Sequence, residues 1–240
     1  MTRPPLIFRL GAAARRGVQQ HGVAFPLVIL HRSAVFFQRK NFGARHFSLA
    51  GREHAYEIHP FILDNERAIE VGLARDFLAG RSGRILEIGN VLGNFMAFPH
   101  DVVDKYEKAP GVINEDIVTF QPREKYQAIV TLSTLEHVGW DETPRTPEKI
   151  VLAIEHIKSL LADGGELLAT MPIAYNSYLD QLIREQRTGF SAVSFLVRTT
   201  GNNQWREATL EEALAKKFGT PFGCANAITV GTFRASSRPA

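Results

Sequence analysis

Four clusters of residues along this chain could do chemistry together. The first is Glu87-Ile88-Gly89-Asn90-Val91-Leu92-Gly93. It places a carboxylate and then a glycine where an apolar run gives way to a loop. A glycine there lets the backbone approach a ligand with no Cβ in the way. The second is Asp104, 17 residues after Glu87, where a carboxylate can accept from both hydroxyls of a ribose. The third is Asp116, which could accept from an adenine amino group. The fourth is Ser133-Thr134-Leu135-Glu136-His137-Val138, in which His137 titrates near neutrality and could act as a base or hold a substrate. Each also has a plain structural reading: a turn glycine, a solvated strand end, a helix-cap aspartate, a hydrogen-bonded histidine.

These residues follow short apolar runs that read as strands. Arg84 to Ile88 is the first, Asp101 to Asp104 the second, Val112-Ile113 the third and Ala128 to Leu132 the fourth. Glu166 to Thr170 is a fifth, Ala192 to Val197 and Asn226 to Val230 two more. Helices alternate with them. One spans Asn65 to Leu78, capped by Asp64 or Asn65, with Ile69, Leu73 and Phe77 on one face. Thr146 caps another, Pro147 opens it, and Ile150, Ile154, Ile157 and Leu161 form its stripe. Gly164-Gly165 ends it. Leu179, Leu182 and Ile183 suggest a helix, and Thr209-Leu210-Glu211-Glu212 is a capping box that opens one more. Strands alternating with helices predict a mainly parallel sheet covered on both faces. In such sheets ligands bind outside the carboxyl ends of the strands, where all four clusters fall.

Composition sets the frame. The chain has 240 residues, 45% hydrophobic and 22% charged, enough for one α/β domain with its own core. A single cysteine, Cys224, excludes an internal disulfide and a cysteine-based zinc site and suits a reducing, cytoplasmic setting. Residues Met1 to Arg52 hold nine Lys or Arg and no Asp or Glu, leaving 19 basic and 25 acidic residues for the rest. The chain therefore reads as a basic extension over 1–60, a domain over 61–235 and a tail over 236–240. The best apolar run, Val23 to Leu30, is too short to span a bilayer, and no secretory signal opens the chain.

Taken in order, these motifs resemble the class I S-adenosylmethionine-dependent methyltransferases. The carriers are Ile85-Leu86-Glu87-Ile88-Gly89, then Asp104, then Asn114-Glu115-Asp116. Tyr126 to Val130 running into Leu135-Glu136-His137-Val138 follows, and Leu161-Ala162-Asp163-Gly164-Gly165-Glu166-Leu167-Leu168 closes the set. The resemblance covers Arg84 to Pro172 and extends toward Phe233. The wording around Asn90, Lys105 and Trp140 is similar to a bacterial group associated with sugar and cell-surface glycan pathways. The resemblance implies a doubly wound, seven-stranded, mainly parallel Rossmann-like sheet whose last two strands form an antiparallel hairpin. It implies S-adenosyl-L-methionine as cofactor, with Gly89 beside its methionine part, Asp104 on the ribose and Asp116 on the adenine. Glu87, Asn90, Ser133 and Leu135 complete the expected cofactor set. Two features depart from the family pattern: the first motif lacks the usual three glycines, and Gln127 stands where an aspartate is common.

Methyl transfer from a sulfonium is an in-line displacement. Holding the reacting atoms about 3–3.5 Å apart can supply about 7–11 kcal/mol, and a base about 10²–10⁴-fold for a hydroxyl acceptor. His137 is the expected base, acting on an oxygen of a small molecule or glycan. Tyr56, Trp140 and Tyr175, with His59, are expected to wall the acceptor site. The basic extension either packs as helices on the domain or meets an anionic membrane through residues 1–52, with Phe25, Leu27, Ile29, Phe36 and Phe37 inserting. No nucleic-acid signature accompanies it. The alternatives are a non-catalytic module of this fold in a glycan-assembly complex, and a nicotinamide oxidoreductase. The latter would need Gly-x-Gly-x-x-Gly, but positions 91 and 94 are Val and Asn.

Overall fold

The computed structural model describes residues 25–60 and 62–237; readings placed on 1–24, 61 and 238–240 lie outside them. In chain order the elements are α1 (Phe25–Phe42), β1 (His46–Leu49), β2 (Arg52–Ala55), α2 (Arg67–Leu78), β3 (Ile85–Ile88), β4 (Asp101–Val103), β5 (Val112–Ile113) and β6 (Tyr126–Leu132). There follow α3 (Lys149–Ser159), β7 (Leu161–Pro172), α4 (Ser177–Arg184), β8 (Ala192–Arg198), β9 (Trp205–Ala208), α5 (Leu210–Leu214) and β10 (Ala227–Arg234).

The runs without polar alternation became the middle of the sheet. Ala128, Ile129, Val130 and Leu132 of β6 are all fully buried, as expected for a parallel strand covered on both faces. Successive side chains feed opposite layers. Ile129, Leu167, Ala169 and Met171 pack with Ile150, Ile154 and Ile157 of α3 and with Leu179 and Leu182 of α4. Val130, Leu132 and Leu168 pack instead with Ile69, Val71 and Leu73 of α2.

The sheet order is β5-β4-β3-β6-β7-β10-β8-β9. Strands β5 through β7 pair in parallel, and β10 runs antiparallel to both β7 and β8. This is the doubly wound arrangement expected, with one difference. β9 adds an eighth strand on the edge, and it separates β8 and β10 in sequence. The capping box formed: Thr209 Oγ1 accepts from the Glu212 N–H at 3.2 Å, and the Glu212 carboxylate accepts from the Thr209 N–H at 3.0 Å.

Ahead of the sheet, α1 leads into a β1–β2 hairpin that the apolar pattern of the sequence does not announce. Ala50 and Gly51 both take positive φ, 50° and 73°, the backbone that closes a two-residue hairpin. The hairpin lies against α2 at Gly72, where any Cβ would collide with the Ala55 carbonyl. Arg39 of α1 is buried and donates to the carbonyls of Leu63 (2.9 Å) and Asn202 (2.8 Å). Among the described residues no helix is long and apolar enough to cross a membrane.

Candidate functional site

Chain connections leave β3 in one direction toward β4 and β5 and in the other toward β6 and β7. The crevice at the carboxyl ends of β3, β4 and β6 is therefore the switch point of the sheet. A cavity of about 320 Å³ opens there. Gly89, Asn90, Asp104, Asp116, Ser133 and His137 all line it, together with Arg67, Thr134 and Glu142.

Glu87 builds the loop rather than the lining. It is 1% exposed; its Oε1 accepts from the N–H groups of Val91 and Leu92, both at 2.6 Å, and its Oε2 lies 2.8 Å from His100 Nε2. These bonds fold the chain back over β3 and replace the turn that extra glycines would make. Gly89 has φ +82° and donates its N–H to the Val103 carbonyl at 2.9 Å. A Cβ there would collide with the Thr134 side chain. Thr134 thus packs closely where the missing side chain would be, and the rest of Gly89 faces the cavity. Asn90 donates its amide N–H to Glu107 at 2.7 Å, and both residues line the cavity.

Asp104, just past β4, lines the cavity. Its Oδ1 accepts from the N–H groups of Tyr106 and Glu107, both at 2.8 Å, which fixes the carboxylate. Its Oδ2 accepts no hydrogen bond from the described residues. Asp116 is differently engaged. Lys149 (2.5 Å) and Lys105 (2.9 Å) hold its Oδ2, and the Val118 N–H (3.1 Å) donates to Oδ1. Burial alone would raise its pKa, but the two ammonium groups prevail and hold it at about 2. The same lysines bind Glu142. Asp116 is therefore first a member of a four-residue ion cluster in the cavity wall.

At the end of β6 the backbone turns sharply. Ser133 adopts φ +38°, a region costly for a residue with a Cβ, and its hydroxyl donates to Glu70. Leu135 is fully buried in the core, so it shapes the loop from beneath and does not line the cavity. His137 is exposed, with Nδ1 2.5 Å from Asp141 Oδ2 and the ring centroid 4.8 Å from that of Tyr175. Tyr175 donates its hydroxyl to the same Asp141 oxygen at 2.6 Å, and Phe218 meets Tyr175 edge-on at 5.1 Å. Burial would raise the Asp141 pKa, but the bonds from Tyr175 and His137 lower it. Trp140 sits one step away, under the Arg145 guanidinium at 4.4 Å, and does not line the cavity.

Tyr56 is a correction. It is 6% exposed, packs on Phe47 at 5.0 Å, and its hydroxyl accepts from the Trp205 N–H at 2.8 Å. It ties the hairpin to β9 and forms no part of an acceptor wall. His59 meets Phe95 edge-on at 5.3 Å and is likewise not among the lining residues.

Sequence reasoning missed Arg67 and the carboxylates around it. Arg67, from the first turn of α2, donates to Glu70 Oε2 (2.8 Å) and to the Leu132 carbonyl (2.7 Å). Glu70 and Glu136 beside it are buried, Arg67 itself is partly exposed, and Glu66 accepts from the Ala225 N–H at 3.2 Å. Burial, reinforced by Glu70, raises the pKa of Glu66, and burial raises that of Glu136 well above the ordinary value. One signal was present: Glu66 and Glu70, four apart, border the Ile69–Leu73 stripe and so turn inward with it. The cavity itself is acidic. Asp104, Glu107, Glu115, Asp116 and Glu142 line it against Arg67 and Lys105.

No protein-family model matches this chain, and no curated protein matches it. Similar solved structures include the N-methyltransferase NodS from Bradyrhizobium japonicum WM9 in complex with S-adenosyl-L-homocysteine. It is 15% identical, with 71% of this chain and 87% of that chain covered and a TM-score of 0.47. A possible histamine N-methyltransferase from Thermotoga maritima is 13% identical, covering 68% and 87%, with a TM-score of 0.42. The glycopeptide N-methyltransferase MtfA, complexed with S-adenosyl-L-homocysteine, is 14% identical, covering 69% and 88%, with a TM-score of 0.40. Likenesses at these levels bear on neither the activity nor the acceptor of this chain.

Proposed function

We propose that this chain is an S-adenosyl-L-methionine-dependent methyltransferase acting on a small-molecule or glycan-type acceptor. One observation carries the reading: the cavity at the switch point is acidic and is floored by a carboxylate, Asp104, with one oxygen pinned and the other unengaged. An acidic cavity repels the pyrophosphate of a dinucleotide and favours a nucleoside carrying a sulfonium and an ammonium. Glu87 keeps the loop after β3 in place, and Asp104 accepts from the ribose diol. The Asp116–Lys149–Glu142–Lys105 cluster stiffens the adenine side. Bound there, the cofactor supplies a methyl group on a positively charged sulfur. Asp141 accepts from His137 Nδ1–H and so leaves Nε2 as the basic nitrogen. Tyr175 meets the imidazole edge-on, and Phe218 in turn meets Tyr175.

The oxygen acceptor expected from the sequence draws no support from this arrangement, because the buried surplus of acid beside the cavity suits a basic group better than a hydroxyl. The basic extension is proposed to pack on the domain, supported by the burial of Arg39 and the docking of the hairpin on α2.

A second reading has a specific support. Thr134 fills the space beside Gly89, and Asn90 is bonded to Glu107 in the cavity lining, as a non-catalytic binding module would allow. Isothermal calorimetry with S-adenosylmethionine and S-adenosylhomocysteine decides between the two. The enzyme reading expects saturable heat and a raised melting temperature with each. Silence with both would leave the module.

A further inference from the structure

Glu136 is buried next to His137, which lines the cavity, and the proposed cofactor site does not use its side chain. Its side chain is 2% exposed, and its Oε2 has no hydrogen-bond partner among the described residues. Buried polar atoms are ordinarily paired, and a lone one points to a missing partner. Its surroundings hold donors that are already committed. Arg67 gives its bonds to Glu70 and to the carbonyls of Leu132 and Ser133. Asn176 donates to the Glu136 backbone carbonyl at 2.9 Å, not to the side chain. The nearest ring nitrogen, His137 Nε2, is 3.6 Å from Oε1, beyond hydrogen-bond reach. Glu66 and Glu70 add negative charge to the same pocket of protein, against the single guanidinium of Arg67.

We propose that Glu136 selects the acceptor, and that the acceptor presents a basic nitrogen to it. This rests on the methyltransferase reading above. An amine N–H donates to Oε2, filling the vacant bond and offsetting the surplus of carboxylates. The route in is past His137, whose side chain is 45% exposed and stands between Glu136 and solvent. An acceptor arriving as an ammonium gives one proton to the Glu136 carboxylate, and burial makes that carboxylate a stronger base than an ordinary one. The freed nitrogen lone pair then forms the N–CH3 bond. The S–CH3 bonding pair stays with sulfur, and the sulfonium becomes a neutral thioether. A hydroxyl acceptor would also fill the vacant bond but would bring no charge.

The probes are benzylamine and benzyl alcohol, chosen to match the Tyr175–Phe218 surface and to differ only at the donor. Each is titrated calorimetrically into the full chain, with and without saturating S-adenosylhomocysteine. The wild type is expected to prefer the amine by about tenfold or more. Glu136→Gln is expected to lose that preference while binding S-adenosylhomocysteine within about twofold of wild type. The retained cofactor affinity shows that the variant is folded. Equal affinity for amine and alcohol, failure of the amine to bind, or a preference that survives in Glu136→Gln overturns the proposal. If S-adenosylhomocysteine fails to bind, the cofactor reading falls, and the titration without it still reads Glu136 by itself.

Discussion

The two ends of the central strands handle charge in opposite ways. At the amino end of β3 and β6, Arg84 donates to Asp101 and stacks over Tyr126 at 4.5 Å. The Tyr126 hydroxyl donates to the same aspartate at 2.9 Å. Donors and acceptors match there. At the carboxyl end, three carboxylates converge on one guanidinium, an oxygen of Glu136 goes without a partner, and Ser133 is held at φ +38°. The same strands thus carry a closed polar network at one end and an open one at the other. Structural needs explain the first. The second is the pattern of a site awaiting a ligand, since uncompensated charge and strain persist where the surrounding fold enforces them.

The sharpest way to break the comparison is at the hub of the open end. Arg67→Met removes the guanidinium that bonds Glu70 and lies beside Glu66 and Glu136, and it frees the carbonyls of Leu132 and Ser133. Stranding buried charge in this way costs about 3–5 kcal/mol, and the partial exposure of Arg67 places the expected loss near ~3. Thermal melts should show a fall of about 6–12 °C for a chain of this size. A change within a degree or two would mean that the carboxylates are already neutral without it. Next in size is Asp104→Asn. The amide keeps an oxygen for the Tyr106 and Glu107 N–H groups, so the loop should survive. It loses the charged acceptor for the diol, and affinity for S-adenosylhomocysteine is expected to drop about 100-fold by calorimetry. An unchanged affinity would remove Asp104 from the cofactor site.

The sequence exposed the closed and the open ends unequally. Strands announce themselves as apolar runs, so the residue just past each run, Gly89, Asp104 or Ser133, falls in the crevice by its place in the pattern alone. Asp116 and His137 follow by the same logic. What the pattern does not carry are relations set by packing between distant segments. Arg67 and Glu70 belong to a helix that only the fold brings over β6 and β7. Tyr56 looks available because the hairpin before it is short and polar, with just Phe47 and Leu49 alternating inward. Its burial depends on β9, a strand whose own sequence, Trp205-Arg206-Glu207-Ala208, carries no strand signal. Asp116 has the expected place but unexpected company, since Lys105 and Lys149 reach it from other elements.

At the closed end the expected effect is modest. Tyr126→Phe removes one hydroxyl that donates to Asp101 and accepts from Arg84 at 3.2 Å. Burial, with Asp101 beside it, pushes that hydroxyl up to about 12, so it stays a donor at any working pH. Arg84 keeps its direct bond to Asp101, so only the hydroxyl's net contribution is lost. That amounts to about 1 kcal/mol, or roughly 2–4 °C in melting temperature. Cofactor affinity should not move, because this network lies at the opposite end of the strands from the cavity.

The smallest effect is expected where the open end is most open. Glu136→Leu replaces a buried carboxyl, one oxygen of which is unpaired, with an apolar side chain of similar size. Apolar replacement of a poorly satisfied buried polar group is commonly neutral or stabilising. Arg67 keeps Glu70 and Glu66 as partners, so no charge is stranded. Urea unfolding should give a midpoint equal to or above that of the wild type, with an unchanged slope. The contrast with Tyr126→Phe is the point: a fully bonded hydroxyl costs stability when it is lost, and a half-bonded carboxyl does not. A clear loss of stability in Glu136→Leu would show that Glu136 is integral to the packing, and the two ends of the strands would then differ in degree rather than in kind.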